Sequence, residues 1–91
     1  MVAQQALQTA PWNYYAHLRL MVAQEGQQQW QALLDHTTQL HQRYPSDATV
    51  LVYRARAQYW LGDKKAASDS YQQVLQRIPG HIEALQFLAG D

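Results

Sequence analysis

Apolar residues recur along this chain at intervals of three and four and nowhere alternate with polar ones for long, so the pattern predicts helices throughout and no strand. Tyr14, Leu18, Met21 and Val22 form one stripe over residues 14–25, and Gly26 stops it. Trp30, Leu33, Leu34, Thr37 and Leu40 form the next, over 29–43. Tyr44-Pro45-Ser46-Asp47 then breaks the chain, because proline disfavours helix in the residue before it and Ser46 or Asp47 can cap the next helix. That helix, over 47–61, ends at Gly62-Asp63, a stop with a cap behind it. The segment 64–77 turns Ala67, Tyr71, Val74, Leu75 and Ile78 inward and stops at Pro79-Gly80. Ile82, Leu85 and Leu88 open a last helix, and Ala3, Ala6 and Leu7 suggest a short one before Pro11.

Pro11, Pro45 and Pro79 stand 34 residues apart, the length of a two-helix repeat unit. Laid without a gap over 46–79, residues 12–45 keep Ala23/Ala57, Gln24/Gln58, Ala32/Ala66, Asp35/Asp69, Gln39/Gln73, Gln42/Gln76, Arg43/Arg77 and Pro45/Pro79. Evenly spaced prolines in unrelated helices would not also align the alanines and the apolar pattern. The organisation predicted is one domain over 1–91: the end of a partial repeat (1–11), a repeat (12–45), a repeat (46–79) and the opening helix of a partial or capping repeat (80–91).

The stretch from Ala48 to Pro79 resembles the tetratricopeptide repeat, a 34-residue helix–turn–helix unit. Leu51 falls where that family favours a large apolar residue, and Ala55 on the small residue of the first helix. Gly62-Asp63 sits at the turn, Ala67 takes the small position of the second helix, Tyr71 the aromatic one, Val74 the next apolar one and Pro79 the end. Independently of the family, Ala55 and Ala67 lack bulk, so two helices can approach closely while Leu51, Tyr59 and Tyr71 fill the space beside them. The preceding unit keeps Leu20, Thr37, Leu40 and Pro45 but has His17, Met21 and Leu33 where one large and two small residues are expected. Its Gly26 arrives two residues early, which predicts a first helix shifted by two and a longer turn. The resemblance implies an all-α fold of antiparallel hairpins stacked as a right-handed superhelix.

Composition narrows the partners. The 7 basic and 7 acidic residues balance, so no overall field draws the chain to nucleic acid or to an anionic membrane. No run approaches the length of a membrane span, and the start lacks the basic-then-apolar pattern of a secretion signal. The absence of cysteine excludes disulfides and thiolate chemistry and leaves localisation open. The frequent glutamines, interrupted at helical spacing, read as solvated helix surface.

Catalytic chemistry finds no support: the serines lack a nucleophile-elbow context, and neither a phosphate loop nor a carboxylate pair is present. Within the sequence none of His17, His36, His41 and His81 has a partner at ligand spacing, so no metal and no cofactor is expected. Lys64-Lys65 is too short to be an electrostatic footprint. Tyr59 and Trp60 are consecutive and cannot share a face.

The family's groove positions fall here on Thr49, Val52, Arg56, Tyr59 and Trp60, on Tyr15, Leu18, Val22 and Glu25 in the preceding unit, and on Glu83 and Gln86 in the last. The resemblance therefore implies a non-enzymatic protein–protein interaction module within a larger assembly or scaffold, binding an extended or helical peptide in this concave groove. Arg56, its one strong cation, would orient a partner carboxylate and be replaceable without loss of stability. Val52 and Glu83 stand where the family's chaperone-tail clamp wants cations, which argues against that ligand. The alternative is a structural self-association module, a homo-oligomer that stacks through unfinished ends and buries Leu7, Leu85, Phe87 and Leu88.

Overall fold

The computed structural model describes residues 13–90. They form five helices, α1 (Tyr14–Gly26), α2 (Trp30–Arg43), α3 (Ala48–Trp60), α4 (Lys64–Arg77) and α5 (Ile82–Ala89), with no strand among the described residues. Leu7 and the short helix expected before Pro11 lie outside them. Consecutive helices run antiparallel. Tyr14 at the start of α1 meets Tyr44 just past α2, with ring centroids 5.5 Å apart, and Trp30 opening α2 stacks on Trp60 closing α3. The molecule extends 41 × 24 × 18 Å, as stacked hairpins rather than a sphere require.

Local chemistry repeats with the 34-residue interval. Asn13, Asp47 and His81 are successive N-caps of α1, α3 and α5, each accepting a backbone N–H three residues on, from Ala16 (3.1 Å), Val50 (3.2 Å) and Ala84 (3.3 Å). Asp63 caps α4 in the same way through Ala66, at 3.0 Å. Gln29, at the matching place before α2, makes no side-chain cap bond.

The two-residue shift expected in the first unit is absent. Both ends of α3 lie 34 residues beyond those of α1, and both ends of α4 lie 34 beyond those of α2. The turn has kept its length because its left-handed residue is not Gly26. Gly62 carries that conformation in the second hairpin (φ 92°), and Gln28, 34 residues earlier, carries it in the first (φ 58°). A glutamine there accepts backbone strain that glycine avoids.

Two cores lie on opposite sides of α3. The first joins Met21, Leu33 and Leu40 to Val50 and Ala57, with Leu18, Trp30, Leu34, Tyr44 and Tyr53 against it. The second joins Leu51, Val52, Ala55, Tyr71, Val74 and Ala84, with Leu75, Phe87 and Leu88 against it. The unusual residues of the first unit exchange bulk between equivalent positions. Ala55, Ala67 and Tyr71 of the second hairpin correspond to Met21, Leu33 and Thr37 of the first, so two large aliphatic side chains replace one aromatic. Tyr59 departs from expectation: it is 45% exposed and does not fill the hairpin beside Ala55. Leu51 and Tyr71 do.

Gln28→Gly is expected to stabilise the protein by about 0.5–1 kcal/mol, the relief of a left-handed glutamine offset in part by the larger entropy of an unfolded glycine. Urea unfolding of the variant checks this. An unchanged or lower midpoint would mean that the turn is not strained.

Candidate functional site

The first helices α1, α3 and α5 are tied together by one side chain. Arg56 on α3 donates through Nη1 to Glu25 Oε2 on α1 at 2.7 Å. It also donates through Nη2 and Nε to Glu83 Oε1 and Oε2 on α5, at 2.6 and 2.9 Å. The Tyr71 hydroxyl donates to Glu83 Oε2 at 2.5 Å, and the guanidinium lies 5.0 Å from the centre of the Tyr53 ring. The Arg–Glu83 contact is a two-pronged, charge-assisted pair. Its bonds from Arg56 hold the Glu83 carboxyl below its usual range against the opposing effect of burial, and Tyr71 assists. Burial first, then the bond to Glu83, pushes the Tyr71 phenol well up. Two carboxylates around one guanidinium leave the cluster one unit negative.

This arrangement corrects the picture of Arg56 as a free cation. Both edges of its fork are occupied from within the molecule, and each bond crosses between helices, so it serves stability as well as the surface. Position alone puts Glu25 and Glu83 on the groove, but it does not reveal their pairing with Arg56. A lone arginine flanked by carboxylates at matching repeat positions is the available signal.

The remaining candidates separate. Thr49, Val52 and Arg56 line a hollow of about 210 Å³ with Ala48, Tyr53, Ile78 and His81, yet the Val52 side chain belongs largely to the second core. Leu18 packs toward the first core. Tyr15 is 76% exposed, and Val22 and Gln86 are exposed as well. Tyr59 turns toward α5, edge-on to Phe87 at 5.7 Å, whereas Trp60 turns toward α2 and stacks on Trp30 at 5.7 Å and 12°. The neighbours thus divide between two sides of α3, and Trp60 stands apart from the Tyr59 side.

Inside each hairpin a glutamine receives a bond from the second helix. Gln58 Oε1 accepts from Ser70 Oγ at 2.6 Å, and the equivalent Gln24 Oε1 lies 3.0 Å from His36 Nδ1. His36 Nε2 in turn lies 2.8 Å from His17 Nδ1. With Nδ1–H donating to Gln24, neutral His36 accepts from His17 through Nε2. Burial, and then the neighbouring His17, lowers the His36 pKa to about 4. The expectation that no histidine has a partner is therefore corrected: spacing within one helix cannot register a pair that faces across two. Among the described residues no three histidine, aspartate or glutamate side chains converge as a metal site.

Residues 49–81 match the family model for the tetratricopeptide repeat. That segment, α3 and α4 with their turn, belongs to the tetratricopeptide repeat family, whose members are protein–protein interaction modules and are typically non-catalytic. Comparison with curated proteins and with solved structures gives no match. Among the described residues no helix is long and apolar enough to cross a membrane.

These polar contacts govern the response to pH and to substitution. A histidine unfolded at about pKa 6.5 and folded near 4 binds more protons when unfolded, so its stabilising effect is complete above pH 6.5 and declines as pH falls toward 4. His41, lowered by burial and by Arg54, adds in the same direction, and Glu83 adds its own loss below about 4.5. Melting temperature is expected to fall between pH 7 and pH 4.5, with a shallower slope in His36→Gln. An equal slope would remove the titration from His36. Arg56→Ala leaves Glu25 and Glu83 unopposed and is expected to cost about 1–2 kcal/mol, with Arg56→Lys recovering only part because an ammonium cannot fork. A denaturation midpoint identical to the wild type would contradict this.

Proposed function

We propose that the chain is a non-catalytic binding module of a larger assembly or scaffold protein, receiving an extended or helical peptide segment along the face shared by α1, α3 and α5. The observation that carries this reading is the Arg56 clamp, which fixes three first helices as one continuous surface. Three residues from each of its charged members stands a candidate contact: Val22 before Glu25, Tyr59 after Arg56 and Gln86 after Glu83. An apolar anchor against Val22 and Tyr59 supplies the affinity. Because Arg56 is saturated and the cluster is net negative, the matching partner carries a basic side chain beside its anchor, in place of the carboxylate expected from sequence.

Tyr59→Ala is expected to weaken partner binding about tenfold or more with helix content unchanged, and chemical shifts should move at Val22, Tyr59 and Gln86 when a captured partner peptide is titrated in. Shifts confined to Gln42 and Gln73 on the second helices would place binding elsewhere.

A second reading, self-association through the last helix, is favoured by one observation. Ile82 is 70% exposed, and Ile78 and Leu85 remain about half exposed beside it. Phe87 and Leu88, expected at that interface, instead pack on the second core. Sedimentation equilibrium of wild type and Leu85→Glu tests it. A wild type that stays monomeric at high concentration removes it.

A further inference from the structure

Away from the α1–α3–α5 face, a groove of about 510 Å³ runs between α2 and α3, lined by Leu34, Asp35, Thr38 and Gln39 on one side and by Arg54, Gln58, Leu61 and Asp63 on the other. That volume is in the range of ligand-receiving clefts. Its two ends differ in charge. Because α2 and α3 are antiparallel, Asp35 lies at the end of Leu61 and Asp63, while Arg54 lies toward His41, whose imidazole it influences electrostatically. Seven residues separate Arg54 from Leu61, about 10 Å along the helix axis, too far for Arg54 to pair with the acids of the other end.

Each acid already has a donor: Asp35 accepts from Gln31 Nε2 at 3.0 Å, and Asp63 caps α4. Arg54 has none of this. Its Nε is buried without a hydrogen-bond partner among the described residues, and so is Nδ1 of His41. An unpaired guanidinium nitrogen in such a place is costly unless something outside the molecule meets it. Between the ends, Gln58 has given its carbonyl oxygen to Ser70 and keeps its amide N–H groups for the groove that it lines, and the Thr38 hydroxyl stands opposite.

We infer that the α2–α3 groove is a second binding site, for a partner helix that sets a carboxylate against Arg54 and a cationic side chain, seven residues away, against Asp35 and Asp63. The spacing selects the helix. Positions i and i+7 of an α-helix lie on one face about 10 Å apart, whereas same-face residues of an extended strand repeat at about 7 Å and then about 13 Å. The Arg54 end supplies orientation through paired hydrogen bonds, and Leu34 and Leu61 meet the small or apolar residues between the charges. This site is separate from the Arg56 face and stands or falls independently of it.

The probe is a displayed library of a 15-residue alanine-based helix randomised at positions i, i+3, i+4 and i+7, selected on the full chain. Wild type is expected to enrich Asp or Glu at one end position and Lys or Arg at the other. Arg54→Gln should lose the acidic preference and bind a selected peptide at least tenfold more weakly with its circular dichroism unchanged. Asp35→Asn, at an exposed position, should weaken the basic preference and keeps the test valid if Arg54→Gln fails to fold. In the wild type, amide shifts should gather at Leu34, Thr38, Gln58 and Leu61. Selection without paired charges, equal binding to the Arg54→Gln and Asp35→Asn variants, or shifts confined to α1 and α5 would each overturn the proposal.

Discussion

The structure depends on α3 being buried from two sides at once. Val50 and Ala57 enter the first core and Leu51, Val52 and Ala55 the second, so neither hairpin completes its core without this helix. A helix with one apolar stripe could not do this, and the mixed sequence of 48–60 lacks such a stripe because its apolar positions serve two neighbours. What remains of its circumference is polar, and that remainder carries Arg54 and Arg56. The two arginines are two residues apart and therefore point to different sides of the helix. One closes a cluster between first helices, and the other is left in the groove toward α2.

The same constraint explains how strictly the 34-residue interval is kept. If the first turn had lengthened, α2 would have lost its place against α3 and with it the packing of Leu33 and Leu40 on Val50 and Ala57. Holding that register is worth more than the strain of a left-handed Gln28, since a core of this kind is worth several kcal/mol and the strain about one or two. The first hairpin also tolerates losing the family's small residues. Met21 and Leu33 fill the volume that Thr37 leaves, and the polar bond at Gln24 is retained with histidine in place of serine.

Polar groups inside the hairpins fix geometry as well as contributing energy. Gln24 and Gln58 are both buried, and each also receives through its backbone carbonyl a bond from the N–H that opens the next turn, from Gln29 and Asp63 at 2.9 Å. One residue thus anchors the second helix by its side chain and the turn by its main chain. That is a physical reason for a glutamine at each of these places, where a surface role would have accepted many other residues.

The sequence alone determined the helices, their caps and stops, the 34-residue repeat and the family of residues 49–81, because these arise from local periodicity, from proline and glycine, and from the aligned small residues Ala55 and Ala67. It also brought out Arg56 as the distinctive charge of one face. Tertiary structure decided everything that depends on which side chains meet across helices. Glu25 and Glu83 closing on Arg56, His17 reaching His36, Trp60 leaving Tyr59 for Trp30 and Arg54 remaining unpaired at Nε involve partners separated in sequence. No local spacing encodes such meetings, since they are set by the packing of one hairpin on the next.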